Sequence, residues 1–288
     1  MKIAIYGSRR QFSIVDIIAR FLGELRSRGV DVIMHGKLYR HLMELIPDAL
    51  IGLVSPVDHC DFTADLALSL GGDGTFLRTA VWVGDKQIPI IGVNTGHLGY
   101  LSALSIDELP GLLDFIAADR LRIERRSMLC VTAPQLPEGF SPLALNEVAI
   151  AKDQNASMIC ADVAVGSIPL AEYRADGLLL CTSTGSTAYN LSVGGPIVDP
   201  TLDVCVLSPV AAHSLAMRPL VIGSDQPVTI VPTGRASRVR LALDGRSVDL
   251  PMGTPVTIRK APYKVMVMQL ADHTFADTLR NKLHWGEQ

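Results

Sequence analysis

The sequence predicts an α/β region built on a parallel sheet, then an antiparallel β region, then a terminal helix. Three observations carry this. Up to Arg122, short apolar runs alternate with segments of helical period. Beyond Arg122 the runs are short, partly alternating, and punctuated by Gly, Pro, Asp or Asn. The last segment, FADTLRNKLHW, sets Phe275, Leu279 and Leu283 four residues apart, which is the spacing of one helix face.

In chain order, KIAIY (2–6) ends at Gly7 as a buried strand does. Phe12, Ile14, Val15, Ile17, Ile18, Phe21, Leu22 and Leu25 recur at helical spacing. VDVIM (30–34) is a strand and 39–46 a short helix. DLALSL (65–70) is a strand ending at Gly71, and IPIIGV (88–93) is another. A helix over 110–118 carries Pro110 near its start. Strands alternating with helices give a Rossmann-like α/β domain.

In the second region, Val165-Gly166-Ser167-Ile168 and Leu243-Asp244-Gly245-Arg246 read as tight hairpin turns. The segments around them pack as two antiparallel sheets, a β-sandwich. APQLPEGFSPL (133–143) is a loop. The predicted domains are 1–122, 123–270 and a terminal helical segment, 271–288.

Composition excludes several functions. A formal net charge of −3 is not that of a nucleic-acid binder. Arg9-Arg10 and Arg125-Arg126 read as solvated faces or small-anion contacts. The five cysteines are scattered without a C-x-x-C, which predicts free thiols in a reducing compartment. No signal peptide or membrane-spanning stretch is read, so the expectation is a cytoplasmic protein with no membrane partner.

The stretch SLGGDGTFLR (69–78) joins an apolar strand to a helix starting near Thr75. Unpaired amides at a helix N-terminus bind anions, and glycine lets a phosphate approach closely. The loop is neither a P-loop, lacking Lys-Ser/Thr, nor a dinucleotide fingerprint, having Leu77 in place of the third glycine. A carboxylate among phosphate-binding glycines repels phosphate unless it serves chemistry. Asp73 can accept a proton from an attacking hydroxyl or help hold Mg²⁺. The structural alternative is a plain turn with Asp73 capping the next helix. A second stretch, YRADGLLLCTSTGSTAYNLSVGGPIVDP (173–200), packs hydroxyls and a glycine between Thr182 and Thr187, suited to phosphate, ribose and adenine. Its plainer alternative is a Ser/Thr-rich turn capping a helix.

Together these two stretches closely resemble the NAD kinase family. PIIGVNTGHLGYL (89–101), RSML (126–129), LNEVAI (145–150), SPVAAHSLAMRPLVI (208–222) and LDGR (243–246) extend the resemblance over nearly the whole chain. The resemblance implies transfer of the terminal phosphate of ATP to the 2′-hydroxyl of the adenosine ribose of NAD, with Mg²⁺ or another divalent metal. It implies a chain end that returns to the first domain, and a homo-oligomer, dimer or tetramer. Asp73 matches the catalytic proton acceptor. Gly71, Gly72, Gly74 and Thr75 match the phosphate and ribose loop, and Arg78 a position approaching NAD. Asn146 and Glu147 match the pair that binds NAD hydroxyls or adenosine, and Arg174 and Asp176 match further NAD contacts. Thr187, Ala188, Tyr189, Asn190, Leu191 and Ser192 fall on the adenosine pocket, and Ala211 on a backbone contact near it. Two positions depart from the family pattern. Ser183 stands where proline is usual, which loosens the turn, and Arg246 follows the late Asp-Gly where glutamine is usual, adding charge where NAD or a phosphate lies.

Other readings are weaker. A lipid or sugar kinase sharing the glycine loop would lack the Thr-Gly-Ser-Thr-Ala-Tyr block. A non-catalytic NAD-binding module would have no use for Asp73. DHCD (58–61) reads as a polar loop rather than a metal site. His213 reads as structural at least as well as substrate-facing, and Cys181 as a packed thiol.

Overall fold

The computed structural model describes residues 1–7, 14–96, 99–153 and 158–286. Arg9-Arg10 and the first two residues of the predicted 12–25 helix lie outside them. The chain divides into two units, one of Met1–Arg125 with Val265–Gln288, the other of Arg126–Lys264.

The first unit begins with β1 (Lys2–Gly7), α1 (Val15–Ser27), β2 (Asp31–His35), α2 (Gly36–Met43), α3 (Pro47–Leu50) and β3 (Val54–Val57). It continues with β4 (Leu66–Leu70), α4 (Asp73–Val83), β5 (Ile90–Asn94), the short β6 (Leu104–Ser105), a 3-10 turn over Ile106–Gly111, and α5 (Leu112–Ala117). The predicted helix over 110–118 thus begins at the end of this 3-10 turn and is α-helical from Leu112. Strand order is β3-β2-β1-β4-β5, every neighbour parallel. That is the doubly wound order, and it brings Gly7, His35, Gly71 and Asn94 to the carboxyl ends of their strands, where ligands of such sheets bind. Strands β4 and β5 are buried throughout, as sheet strands covered on both faces must be. Ile18, Phe21, Leu22 and Leu25 of α1 pack into the same core as Ile3, Ile5, Leu68 and Val93.

The second unit is antiparallel. The chain enters through β7 (Leu121–Thr132) and runs through β8 (Leu143–Ala144), β9 (Glu147–Lys152), β10 (Ile159–Val165), β11 (Ile168–Ala175) and β12 (Gly177–Thr182). A 3-10 turn, Thr184–Thr187, leads to α6 (Tyr189–Ser192). Then follow β13 (Val204–Val210), β14 (Leu220–Gly223), β15 (Val228–Thr233), β16 (Arg238–Leu243), β17 (Arg246–Pro251) and β18 (Val256–Leu270). One sheet runs β14-β13-β12-β9-β16-β17, and β11, β10, β15 and the first part of β18 pair in another. Their shared core takes Leu178, Leu180 and Leu241 from the first and Val163, Ile230 and Ile258 from the second, so this half is a sandwich. Both predicted hairpins close as read, Val165 opposite Ile168 and Leu243 opposite Arg246.

The last part of β18 pairs in parallel with β5, Val267 opposite Ile90. Helix α7 (Phe275–Leu283) then starts on a capping box of Thr274 and Asp277. No described helix is long and apolar enough to cross a membrane.

Phe21 is 1% exposed in the first core. Truncating it removes a large buried ring, so Phe21→Ala is expected to lose about 3–5 kcal/mol in urea denaturation.

Candidate active site

In the first unit the site grows from the end of β4. The chain turns at Gly71 with φ +149°, where a Cβ would stand 2.4 Å from Thr75 Oγ1. The Thr75 and Phe76 amides both donate to the Gly72 carbonyl, at 2.8 and 3.2 Å, so α4 starts directly on the glycines. Its first amides face outward with the positive end of the helix dipole. Thr79 anchors the helix, its hydroxyl donating to the Thr75 carbonyl at 2.9 Å and hydrogen-bonded to Ser69 Oγ at 3.0 Å. Arg78 donates to Thr75 Oγ1 at 3.3 Å, which sets its guanidinium beside the same first turn.

Asp73 is the first residue of α4, but its carboxylate does not cap that helix. It reaches the segment after β5. The Tyr100 amide donates to Oδ2 at 2.9 Å and the Leu101 amide to Oδ1 at 3.1 Å. The carboxylate is clamped in one orientation, and each oxygen keeps a lone pair free. The clamp needs Gly99, because a Cβ there would stand 2.0 Å from Oδ1.

In the second unit the organising group is Asp244, at the β16–β17 turn. Its Oδ2 accepts the Leu145 amide at 2.7 Å, and its Oδ1 accepts those of Asn146 and Glu147 at 2.9 and 3.1 Å. Burial raises the Asp244 pKa and the three amides pull it back. Thr182 ties the Thr-Ser-Thr-Gly turn to the same segment. Its hydroxyl donates to the Leu145 carbonyl at 2.6 Å and accepts the Gly185 amide at 3.1 Å. Asn146, Glu147 and the Thr184 turn are thereby brought together. Asn146 Oδ1, Glu147 Oε2 and Thr184 Oγ1 are buried without a hydrogen-bond partner. Buried polar atoms are rarely left so, and three in one place make this a candidate ligand surface. Burial first, and Asp244 second, push the Glu147 carboxyl up to about 7, while the Tyr189 amide draws it down.

The remaining candidates divide by exposure. Thr187 and Ala188 are half-buried, and Tyr189 and Ser192 are exposed beside them. Leu191 is half-buried on α6. Asn190 is fully buried and its amide group is engaged within the protein, donating to the Ser186 and Pro196 carbonyls and accepting from Ser208 Oγ. Asp176 pairs with Lys152 at 2.9 Å, and its amide donates to the Val210 carbonyl, next to exposed Ala211. Arg174 is exposed and hydrogen-bonds to Glu172 at 2.7 Å. Arg246 turns its guanidinium to the carbonyls of Ser141, at 3.0 Å, and Leu143, and lies 5.8 Å from the Phe140 ring.

Several weaker readings also find their places. Ser183 is buried, its hydroxyl donating to the Leu202 carbonyl at 2.5 Å, so it fastens the turn rather than loosening it. In DHCD, Asp58 is paired with Arg40 at 2.9 Å. Burial pushes the Cys181 thiol up to about 12, an inert packed group. His213 is exposed, with its amide on the Arg174 carbonyl at 2.9 Å. Sequence reasoning missed Asp244 and Thr184 as site residues. The Asp-Gly hairpin marked Asp244 as a turn, with no sign of its distant amide partners.

Comparison with known proteins shows the family. Residues 6–121 match the ATP-NAD kinase N-terminal domain family and 145–270 the ATP-NAD kinase C-terminal domain family. An NAD kinase of Bacteroides fragilis is 38% identical over 288 residues, covering 99% of this chain and 98% of that protein. One of Porphyromonas gingivalis is 39% identical over 289 residues, with the same coverage. Among solved structures, yeast NADH kinase complexed with NADH superposes with a TM-score of 0.89 at 22% identity, over 100% of this chain and 89% of that one. An NAD kinase from Archaeoglobus fulgidus in complex with ATP gives 0.70 at 24% identity, over 99% and 98%. At those identities the two structures speak for the fold.

The Glu147 carboxyl gives a pH test that needs no substrate. Its folded pKa of about 7 lies above its unfolded value. Between roughly pH 4.5 and 7 the folded state therefore holds a proton that the unfolded state has lost, and its contribution to stability falls as pH rises. Glu147→Gln is expected to gain stability relative to the parent over that window, by at most about 1.4 kcal/mol per pH unit, and to run parallel above it. Urea denaturation of both proteins from pH 5 to 8 checks this.

Proposed function

The chain belongs to the NAD kinase family, and from that premise we propose that it transfers the terminal phosphate of ATP to the 2′-hydroxyl of the adenosine ribose of NAD, giving NADP. The observation that carries the residue assignment is Asp73, an oriented carboxylate at the start of a helix whose outward amides suit phosphate. Asp73 accepts the 2′-hydroxyl proton as that oxygen bonds to the terminal phosphorus. The bond between that phosphorus and the bridging oxygen breaks, ADP leaves with the bond's electrons, and the proton passes from Asp73 to water. Phosphoryl transfer asks the protein chiefly for positioning and charge stabilisation, which suits a clamped base.

Gly72 and Gly74 line the approach of the phosphates, with Gly71 shaping the turn, Thr75 bracing it and Arg78 supplying positive charge. The three unpartnered atoms of Asn146, Glu147 and Thr184 support binding of the dinucleotide through its hydroxyls and adenine. Near neutral pH the Glu147 carboxyl can donate or accept such a bond. Thr187, Ala188, Tyr189, Leu191 and Ser192 extend that surface. Asn190 holds it in shape, and Arg174, Asp176 and Ala211 flank it. Arg246 acts by bracing the 141–143 carbonyls.

No group of three or more His, Cys, Asp or Glu among the described residues could hold a metal ion. Asp73 offers at most one carboxylate, already shared with two amides. The side chains therefore do not form a cage for Mg²⁺, and a divalent ion fits here as a companion of the donor's phosphates, which is how Mg²⁺ usually enters such sites. We extend the reading to a homo-oligomer in the cytoplasm. Exposed Ile168 and Leu170 on strand β11 support the former, and five free cysteines the latter.

Replacing Asp73 by Asn removes the proton acceptor and sets an NH2 that cannot accept against one of the two clamping amides. Asp73→Asn is expected to lower kcat for NADP formation by about 10³-fold, with the Kd for NAD within a factor of two. Turnover at the parent rate would rule out Asp73 as the base.

A further inference from the structure

A phosphate chain arriving at the start of α4 meets the Asp73 carboxylate, and two anions at that range repel each other strongly outside bulk water. The helix dipole offsets about half a charge. Arg78 stands on one side of this turn. The first unit also places a second cation, from α7, near Asp73. Lys282, in the last turn of α7, is half-buried with its Nζ 6.0 Å from the centre of the Tyr100 ring. Tyr100 is the residue whose amide clamps Asp73, and the Asp73 charge acts on Lys282, opposing the fall in pKa that burial imposes. Among the described residues Lys282 makes that ring contact and no ion pair.

Beside Lys282 lies a cavity of about 180 Å³ between the 99–103 segment, α7 and the end of β18. Tyr100, Ser102, His273, Thr278, Asn281 and Lys282 line it, so its walls are mostly polar. His273 and Thr278 already hold each other at 2.8 Å, and Asn281, Ser102, Gln269 and the ammonium also line the cavity. The volume is several times that of a water molecule. Gly99 is common to this cavity and to the Asp73 clamp.

We propose that this cavity is a subsite for the phosphate chain of the donor, and that Lys282 is its cation. The terminal helix then has a role in phosphate binding beyond closing the fold. The ligand class is a linear condensed phosphate, whether carried by a nucleoside or free. The inference rests on the phosphotransferase reading above for its role in the reaction, but the binding can be tested apart from it.

The test measures binding of inorganic tripolyphosphate by calorimetry to the parent, Lys282→Met and Lys282→Arg. It also measures steady-state constants for ATP and NAD, and the Tm of each protein. Loss of one charge-assisted contact is expected to weaken tripolyphosphate binding about tenfold in Lys282→Met and to raise KM for ATP about as much. KM for NAD and Tm should not move, and Lys282→Arg should restore both affected values. Tripolyphosphate binding to Lys282→Met as to the parent overturns the proposal, as does an unmeasurable affinity in the parent. A lowered Tm that arginine does not repair, with unchanged KM for ATP, also overturns it. Tripolyphosphate binding that depends on Lys282, in a protein that forms no NADP, would sustain the subsite and refute the NAD kinase reading instead.

Discussion

The first unit turns on one constraint, the pair of amides that clamp Asp73. A carboxylate at a helix start ordinarily serves its own helix, accepting its first N–H groups. Here it is drawn away to Tyr100 and Leu101, 27 and 28 residues on. That joins the turn after β4 to the segment after β5, at neighbouring positions of the parallel sheet. The carboxylate takes no amide of its own helix start and is held in a fixed direction. In the proposed reaction a phosphate-binding turn and a base are thus built from one residue and its partners.

The second unit uses the same chemistry to another end. Asp244 also gathers backbone amides, three of them, from a segment about a hundred residues earlier. The difference lies in burial. Asp244 is enclosed and its oxygens are occupied, so it shapes the Asn146-Glu147 segment. Asp73 is half-exposed and keeps capacity to accept a proton. Glu147 lies beside Asp244, and burial first and Asp244 second raise its carboxyl to about 7. A side chain with a variable proton, next to unpartnered Asn146 and Thr184 atoms, suits a ligand rich in hydroxyls.

Local signals made the fold legible. Gly7 and Gly71 end buried strands, and the Asp244-Gly245 and Gly166-Ser167 pairs make hairpins, because such turns depend on few residues. The 133–143 loop and the terminal helix were legible for the same reason. The site was legible in its motifs and obscure in its mechanics. Nothing near Asp73 shows that its partners are the amides of Tyr100 and Leu101, since backbone groups carry no residue code. The Ser183 hydroxyl binding the Leu202 carbonyl, and Arg246 bracing the Ser141 carbonyl rather than standing free, are likewise tertiary facts. Lys282 reads as an ordinary helix-end lysine until β18 and α7 bring it beside Tyr100.

The central claim is that the orientation of Asp73, set by the Gly99 approach, governs turnover. Gly99→Ala tests it most directly, because the added methyl group would sit 2.0 Å from Oδ1 and must displace the carboxylate without changing its chemistry. Steady-state NADP formation from NAD and ATP should show kcat reduced by about 10²-fold or more, with KM for NAD unchanged, as a misplacement near 1 Å of a catalytic group predicts. A kcat equal to that of the parent would contradict the account, and the clamp would then be packing without consequence for catalysis.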